Sequence, residues 1–208
     1  MKRALILDLD NTIYPVSSVA DDMFAHLFEL IDKELGKKDH QAAAMAKHEL
    51  TRRPFQFVAD EHGFSDELKR KGIEVLQNYE YDKPMQCYPE FEEIRKLDID
   101  KFLVTTGFTK LQFSKVKMLQ IEGDFKKAYV VDPQQSNENK GDVFTKIMAE
   151  NGYSIADVLV IGDDPESEIK FALQLGIDTF LFDPENKYPH ANVTYRGKDY
   201  KAIAGIIE

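Results

Sequence analysis

A single cysteine, Cys87, occurs in the 208 residues. One thiol forms no internal disulfide, so nothing in the chain calls for an oxidising compartment. Cys87 has no Cys or His at zinc-ligand spacing and reads as a small buried side chain. Positive charge is also scarce: 27 Lys and Arg stand against 37 Asp and Glu, a net charge of −10. Sequence-independent nucleic-acid binding needs a basic surface that displaces counterions, so no nucleic-acid partner is expected. Anionic membranes are disfavoured for the same reason. Long apolar runs are missing. The run behind Lys2 and Arg3 covers only residues 4–7, too short for a signal-peptide core. No stretch approaches the roughly 20 apolar residues of a membrane span. No internal repeat or low-complexity tract occurs. What remains is an ordinary globular balance, 43% hydrophobic and 31% charged, with length enough for a real core. The expectation is a soluble, cytoplasmic protein.

Residues 4–7 are continuously apolar and end at Asp8, as suits a central strand of a sheet covered on both faces. Comparable runs lie at 101–105, 128–131, 158–161 and 179–182. Helical patterns separate them. Residues 90–97 follow Pro89, well placed at a helix start. Residues 142–151 put Val143, Phe144, Ile147 and Met148 on one face, and Gly152 closes them. Residues 166–175 close at Gly176 in the same way. Alternating strands and helices predict right-handed crossovers and a three-layer, doubly wound, mainly parallel α/β sheet. Residues 16–86 break the rhythm and read as helices at 20–35, 41–50, 55–62 and 65–79, with Ser65 as a cap. The expected organisation is an α/β core of residues 1–15 and 87–208, interrupted by a helical cap of residues 16–86. The polar stretch 132–139 reads as an exposed loop.

Ligands of open parallel sheets bind outside the carboxyl ends of the strands. The first strand ends in Asp8-Leu9-Asp10-Asn11-Thr12, the second in Thr105-Thr106-Gly107, the fourth in Gly162-Asp163-Asp164, and Lys140 stands in the turn before a helix. These are the parts of a phosphoryl-transfer site. One carboxylate attacks phosphorus, a second shuttles a proton, and further carboxylate oxygens hold Mg²⁺. Hydroxyls and an ammonium bind the phosphate oxygens. Taken singly each element has a plainer reading. Asp164 before Pro165, for instance, suits a helix N-cap.

At these residues the chain resembles the haloacid dehalogenase-like hydrolase superfamily, over nearly its whole length. The string Leu5-Ile6-Leu7-Asp8-Leu9-Asp10-Asn11-Thr12 matches the first motif. The resemblance implies that Asp8 is the nucleophile and a metal ligand. It makes Asp10 the general acid and base, binding metal through its backbone carbonyl. Leu103-Val104-Thr105 matches the second motif, with Thr106 where Asn is usual; Thr105 and Thr106 are candidates for phosphate binding. Lys140 matches the third, followed by Gly141-Asp142 where Pro-Asp is frequent. Ile161-Gly162-Asp163 matches the fourth, with Glu168 at its final acidic position. Asp163 is then a direct Mg²⁺ ligand, and Glu168 or Asp164 acts behind the direct ligands. A helical cap after the first strand is common in the superfamily. The opening DLDNTIYP looks most like the pyrimidine 5′-nucleotidase-like branch. Dehalogenating members lack the second Asp, which this chain keeps as Asp10.

The expected activity is Mg²⁺-dependent hydrolysis of a small phosphorylated metabolite, a nucleotide or a sugar phosphate, through an aspartyl phosphate. The alternatives are a sugar phosphomutase with the same nucleophile and a non-enzymatic phospho-accepting receiver. In the insert, Arg52, Arg53, Phe55 and Phe57 form a basic-aromatic cluster. They would either clamp a base or second anion, or serve as cap core (the two rings) beside solvated arginines. Residues 16–86 carry 10 Lys and Arg against 14 Asp and Glu, so the insert has no net basic face. His26, His40, His48 and His62 read as surface or helix-packing residues.

Overall fold

A computed structural model describes residues 1–37 and 39–208. Strand β1 (Ala4–Leu7) lies at the centre of a six-stranded sheet with β2 (Asp100–Thr106), β3 (Lys127–Val131), β4 (Val158–Gly162), β5 (Asp178–Phe182) and β6 (Tyr195–Gly197). The order is β3-β2-β1-β4-β5-β6, and every pairing is parallel. The continuous apolar runs are explained by burial on both sides. Leu5 and Leu7 enter one apolar cluster, and Ala4 and Ile6 enter the other. This two-sided covering is the three-layer α/β fold expected from the sequence. Strand β6 was not foreseeable from apolar runs, because it is three residues long and centred on Arg196.

Helices α8 (Lys140–Asn151) and α9 (Glu168–Gln174) cover the Ile6 face through Val143, Phe144, Ile147 and Ala172. Helix α7 (Thr109–Met118) covers the opposite face through Leu111 and Val116. Two short helices, α6 (Phe91–Arg95) and α10 (Ile203–Ile207), join it there through Phe91, Ile94 and Ile203. Gly152 and Gly176 end α8 and α9 with φ of 66° and 75°, a conformation that favours glycine.

Between β1 and β2 the chain forms α1 (Ala20–Met23), α2 (Ala25–Ile31), α3 (His40–Leu50), α4 (Phe55–Glu61) and α5 (Asp66–Asn78). Their apolar faces are continuous with the Leu5 side of the sheet: Leu27, Ile31, Ala43, Val58 and Leu68 belong to the same cluster as Leu7 and Leu103. The single helix expected over 20–35 is divided. Phe24 leaves helical geometry, and its ring lies buried at the wall of a cavity described below. A wider helical turn, Asp32–Gly36, follows α2. Ser65 caps α5 as expected, its hydroxyl accepting the Leu68 amide at 3.1 Å. His26, His40 and His48 are exposed, and His62 is partly buried beside Phe64. Cys87 is half-buried, and burial pushes its thiol up to about 11.

Candidate active site

Asp8 stands one residue beyond β1, its amide donating to the Ile161 carbonyl of β4 at 3.0 Å. The backbone then turns sharply at Asn11, whose φ of 56° an asparagine tolerates. That turn returns Tyr14 to pair with Asp10. Thr12 donates its hydroxyl to Asp163 Oδ1 at 3.4 Å, which ties the β1 loop to the end of β4.

Lys140 joins the end of β1 to α9. Its Nζ lies 2.7 Å from Asp8 Oδ1 and 2.7 Å from Glu168 Oε2, and all three side chains are buried. Lys140 is the first residue of α8, where the sequence suggested a turn before a helix beginning at 142. The reason is the cap. The Asn139 side chain accepts the Gly141 amide at 2.8 Å, and Asp142 accepts the Asn139 amide at 2.9 Å, which starts the helix two residues earlier. Asp164 does not cap α9. Its carboxylate accepts the Glu166 amide at 2.9 Å and closes the turn ahead of the helix.

Carboxylate oxygens of Asp8, Asp163 and Glu168 lie within 4.8 Å of one another. Glu168 also accepts the Asp164 amide at 3.0 Å. So of the two acidic residues expected behind the metal ligands, Glu168 converges with Asp8 and Asp163, whereas the Asp164 carboxylate serves the turn. Burial pushes the Asp8 carboxyl up to about 7, opposed by Lys140 and reinforced by Glu168. Burial, Glu168 and Asp8 raise Asp163 well above the usual carboxylate range. Burial opposes charge on Lys140, yet Asp8 and Glu168 keep its value above that of a free lysine. One ammonium, paired with Asp8 and Glu168, thus stands at a cluster of three carboxylates. The excess negative charge and the oxygen-only donor set fit a hard divalent cation such as Mg²⁺.

Asp10 is directed elsewhere. Its carboxylate accepts hydrogen bonds from Tyr14, from Lys115 at 2.8 Å and from Gln112 at 2.9 Å. Burial would raise it, but Lys115, Tyr14 and Gln112 together hold it below the usual range. Thr105 is buried at the end of β2, and its hydroxyl oxygen lies 2.5 Å from Gln112 Nε2. Thr106 is partly buried beside it. The sequence assigned no role to Gln112 or Lys115, nor to Tyr14, although Tyr14 stands in the opening DLDNTIYP. The available signal was that Gln112 and Lys115 are polar residues on the same helical stripe as apolar Leu111 and Val116, directly after a strand-end Thr pair.

A cavity of about 580 Å³ joins these residues to the insert. Asp8, Asp10, Thr105, Thr106, Lys140, Asp163, Asp164 and Glu168, the full set of sequence candidates, line it. Phe24, Leu50, Arg52, Arg53, Phe55 and Phe57 line its other side. The plain reading of that cluster is corrected in part. Phe55 is core, but Phe57 is 53% exposed. Neither arginine is simply solvated: Arg53 pairs with Glu49 at 3.1 Å and Glu61 at 2.6 Å, and Arg52 donates to the Tyr188 hydroxyl. Asp183 holds Tyr188 there by accepting its amide at 2.9 Å. Asp132, in the segment read as an exposed loop, is buried because it accepts from the Thr109 amide and hydroxyl at the start of α7.

Among the described residues, no helix is long and apolar enough to cross a membrane. The chain is 25% identical over 210 residues to a ribulose-1,5-bisphosphate 5-phosphatase of Halopiger xanaduensis, covering 90% of this chain and 87% of that one. Its fold is similar to that of a haloacid dehalogenase-like family hydrolase from Streptococcus pneumoniae, with TM-score 0.72, 16% identity, and coverage of 100% of this chain and 99% of the other. A phosphatase from Thermococcus onnurineus matches with TM-score 0.68 and 18% identity, over 100% of this chain and 98% of its own. The family model for haloacid dehalogenase-like hydrolases matches residues 2–176, and the chain belongs to that family of enzymes.

Proposed function

We propose that the protein hydrolyses a small phosphomonoester through an aspartyl phosphate on Asp8, with Mg²⁺ as cofactor. The observation that carries this reading is the meeting of Asp8, Lys140 and Glu168 at 2.7 Å, with Asp163 in the same carboxylate cluster, at the carboxyl end of the central strand. Asp8, Asp163 and the Asp10 backbone carbonyl would hold the cation, with Glu168 buried behind them. When bound, Mg²⁺ supplies positive charge opposite the phosphoryl oxygens. An Asp8 oxygen forms a bond to phosphorus while the bond from phosphorus to the leaving oxygen breaks. Asp10 gives that oxygen a proton. Water then attacks phosphorus as the bond to the Asp8 oxygen breaks, Asp10 takes from water the proton that it gives up in the next turnover, and inorganic phosphate leaves. Lys140 and the Thr105 and Thr106 hydroxyls oppose the charge on the equatorial oxygens.

The insert acts as the cap in this reading, and the leaving group lies against Phe24, Phe55, Phe57 and Arg52. That wall suits a nucleotide or a sugar phosphate, and the relative from Halopiger xanaduensis is named for a sugar bisphosphate. The test is a panel of nucleoside monophosphates and sugar phosphates incubated with Mg²⁺ and read as inorganic phosphate. Release that stops with EDTA and returns with Mg²⁺ is expected. Isomerised sugar phosphate without free phosphate would replace hydrolysis by intramolecular transfer. A stable phospho-Asp8 with no turnover would replace it by signalling.

A further inference from the structure

The Asp10 carboxylate is enclosed by three donors that none of the four motifs contains. Tyr14 and Lys115 both donate to Oδ1, and Gln112 donates to Oδ2. The donors are 0%, 4% and 2% exposed, so their bonds are shielded from bulk solvent. They come from two segments. Tyr14 is brought in by the turn at Asn11, and Gln112 and Lys115 stand three residues apart on one stripe of α7. Gln112 Nε2 also lies 2.5 Å from the Thr105 hydroxyl oxygen. An amide nitrogen only donates, so the Thr105 oxygen accepts there, and its own hydrogen is left to donate elsewhere.

We propose that Gln112, Lys115 and Tyr14 are positioning residues that orient Asp10 for proton transfer and, through Gln112, orient the Thr105 hydroxyl toward phosphate. The inference rests on the reading of Asp10 as the proton shuttle. A carboxylate oxygen accepts about two hydrogen bonds. Oδ1 receives two, from Tyr14 and Lys115; Oδ2 receives one, from Gln112, and keeps a position for the leaving oxygen or the attacking water. Oδ2 is therefore the atom that gives and takes the proton. Rotating the carboxylate would break three bonds at once. The shared Gln112 amide also fixes the spacing between this atom and the Thr105 hydroxyl. Room for that amide comes from Gly107, where a β-carbon would lie 3.1 Å from Gln112 Cδ.

The test uses the full chain with Mg²⁺ and two probes, glycerol 2-phosphate and p-nitrophenyl phosphate. A general acid is worth ~10²–10⁴ in rate when the leaving group is a strongly basic alkoxide, and much less for nitrophenolate. Asp10→Asn should therefore slow turnover of glycerol 2-phosphate far more than the first-turnover burst of nitrophenol, which reports formation of phospho-Asp8. Tyr14→Phe and Lys115→Met should show the same split, with kcat for glycerol 2-phosphate down by roughly 10-fold or more and KM little changed. In an Asp10→Asn background their effects should shrink to less than about 2-fold, because groups acting through one residue are not additive. Gln112→Met should retain part of its loss there, through Thr105. Undiminished losses in that background, or equal losses in glycerol 2-phosphate turnover and in the nitrophenol burst rate in folded variants, would overturn the assignment. If Asp10→Asn itself shows no split, the shuttle reading fails first and is recognised as such. Tyr14→Phe removes only a hydroxyl, so it remains informative if Lys115→Met does not fold.

Discussion

A β-carbon on Gly162 would lie 2.0 Å from Oε1 of Glu168. The last residue of β4 is therefore glycine so that the Glu168 carboxylate can lie against the strand and reach Lys140. Glu168 is 2% exposed, held between the strand and Lys140. Gly162→Ala is expected to displace it, costing ~1–3 kcal/mol by overpacking. Thermal melting should report the loss as a fall of roughly 3–10 °C. The Mg²⁺ concentration for half-maximal activity should rise at the same time. An unchanged midpoint and unchanged Mg²⁺ dependence would show that Glu168 has another accessible place.

Asp8→Asn keeps the size of the side chain and leaves Lys140 its 2.7 Å partner in Glu168. The variant should fold with an unchanged far-ultraviolet circular dichroism spectrum. Turnover should fall by roughly 10³-fold or more, as for removal of other nucleophiles. Acid-quenched protein should carry no phosphate. Residual turnover near that of the parent would remove Asp8 from the nucleophile's role.

In the proposed reading, proton and Mg²⁺ compete for the carboxylate cluster of Asp8, Asp163 and Glu168. Asp8 is raised from an ordinary 3.8 to about 7 in the folded, metal-free chain, and Asp163 moves the same way. A carboxyl raised on folding contributes stability at low pH and withdraws it as pH climbs through the folded value. Asp10 has the opposite sign: its contribution is lost only as pH falls below the ordinary carboxylate range. With EDTA, the melting temperature should therefore decline between about pH 4 and pH 8 from the Asp8 and Asp163 contributions. Ligand carboxylates must be ionised, so from Asp8 alone Mg²⁺ should bind about 100-fold more weakly at pH 5 than at pH 8. The shift in melting temperature on adding Mg²⁺, measured at both pH values, checks the direction. A larger shift at the lower pH would contradict it.

Phe55 lies over Gly72, where a β-carbon would come within 2.2 Å of the ring. Gly72→Ala should push the ring toward the cavity, at a cost of ~1–3 kcal/mol. In the proposed reading, that end of the cavity holds the leaving group. The variant should therefore raise KM for a bulky phosphomonoester more than it lowers kcat. A small ester that does not reach Phe55 should be little affected. Steady-state kinetics on two esters of different size separate the outcomes.

The α/β architecture was legible in the chain because parallel strands buried on both faces must be apolar throughout. Residues 4–7 and 158–161 announce themselves by that rule alone. Asp8, Asp10, Thr105 and Asp163 were legible for a related reason: strand ends in such a sheet open on one edge, so polar residues there collect at one place, and Lys140 was legible from its place at the head of a helix. Three features depended on the third dimension. Phe57 has the same local pattern as Phe55, yet the packing of α4 against α5 buries only Phe55. Glu168 and Asp164 are both acidic and close to β4, but only the path of the turn between them decides which carboxylate meets Lys140. Gln112, Lys115 and Tyr14 lie 102, 105 and 4 residues from Asp10, so no local spacing relates the first two to it. Long-range hydrogen bonds follow from how α7 docks on the sheet, and docking is set by the summed packing of both faces, which the order of residues along the chain does not express.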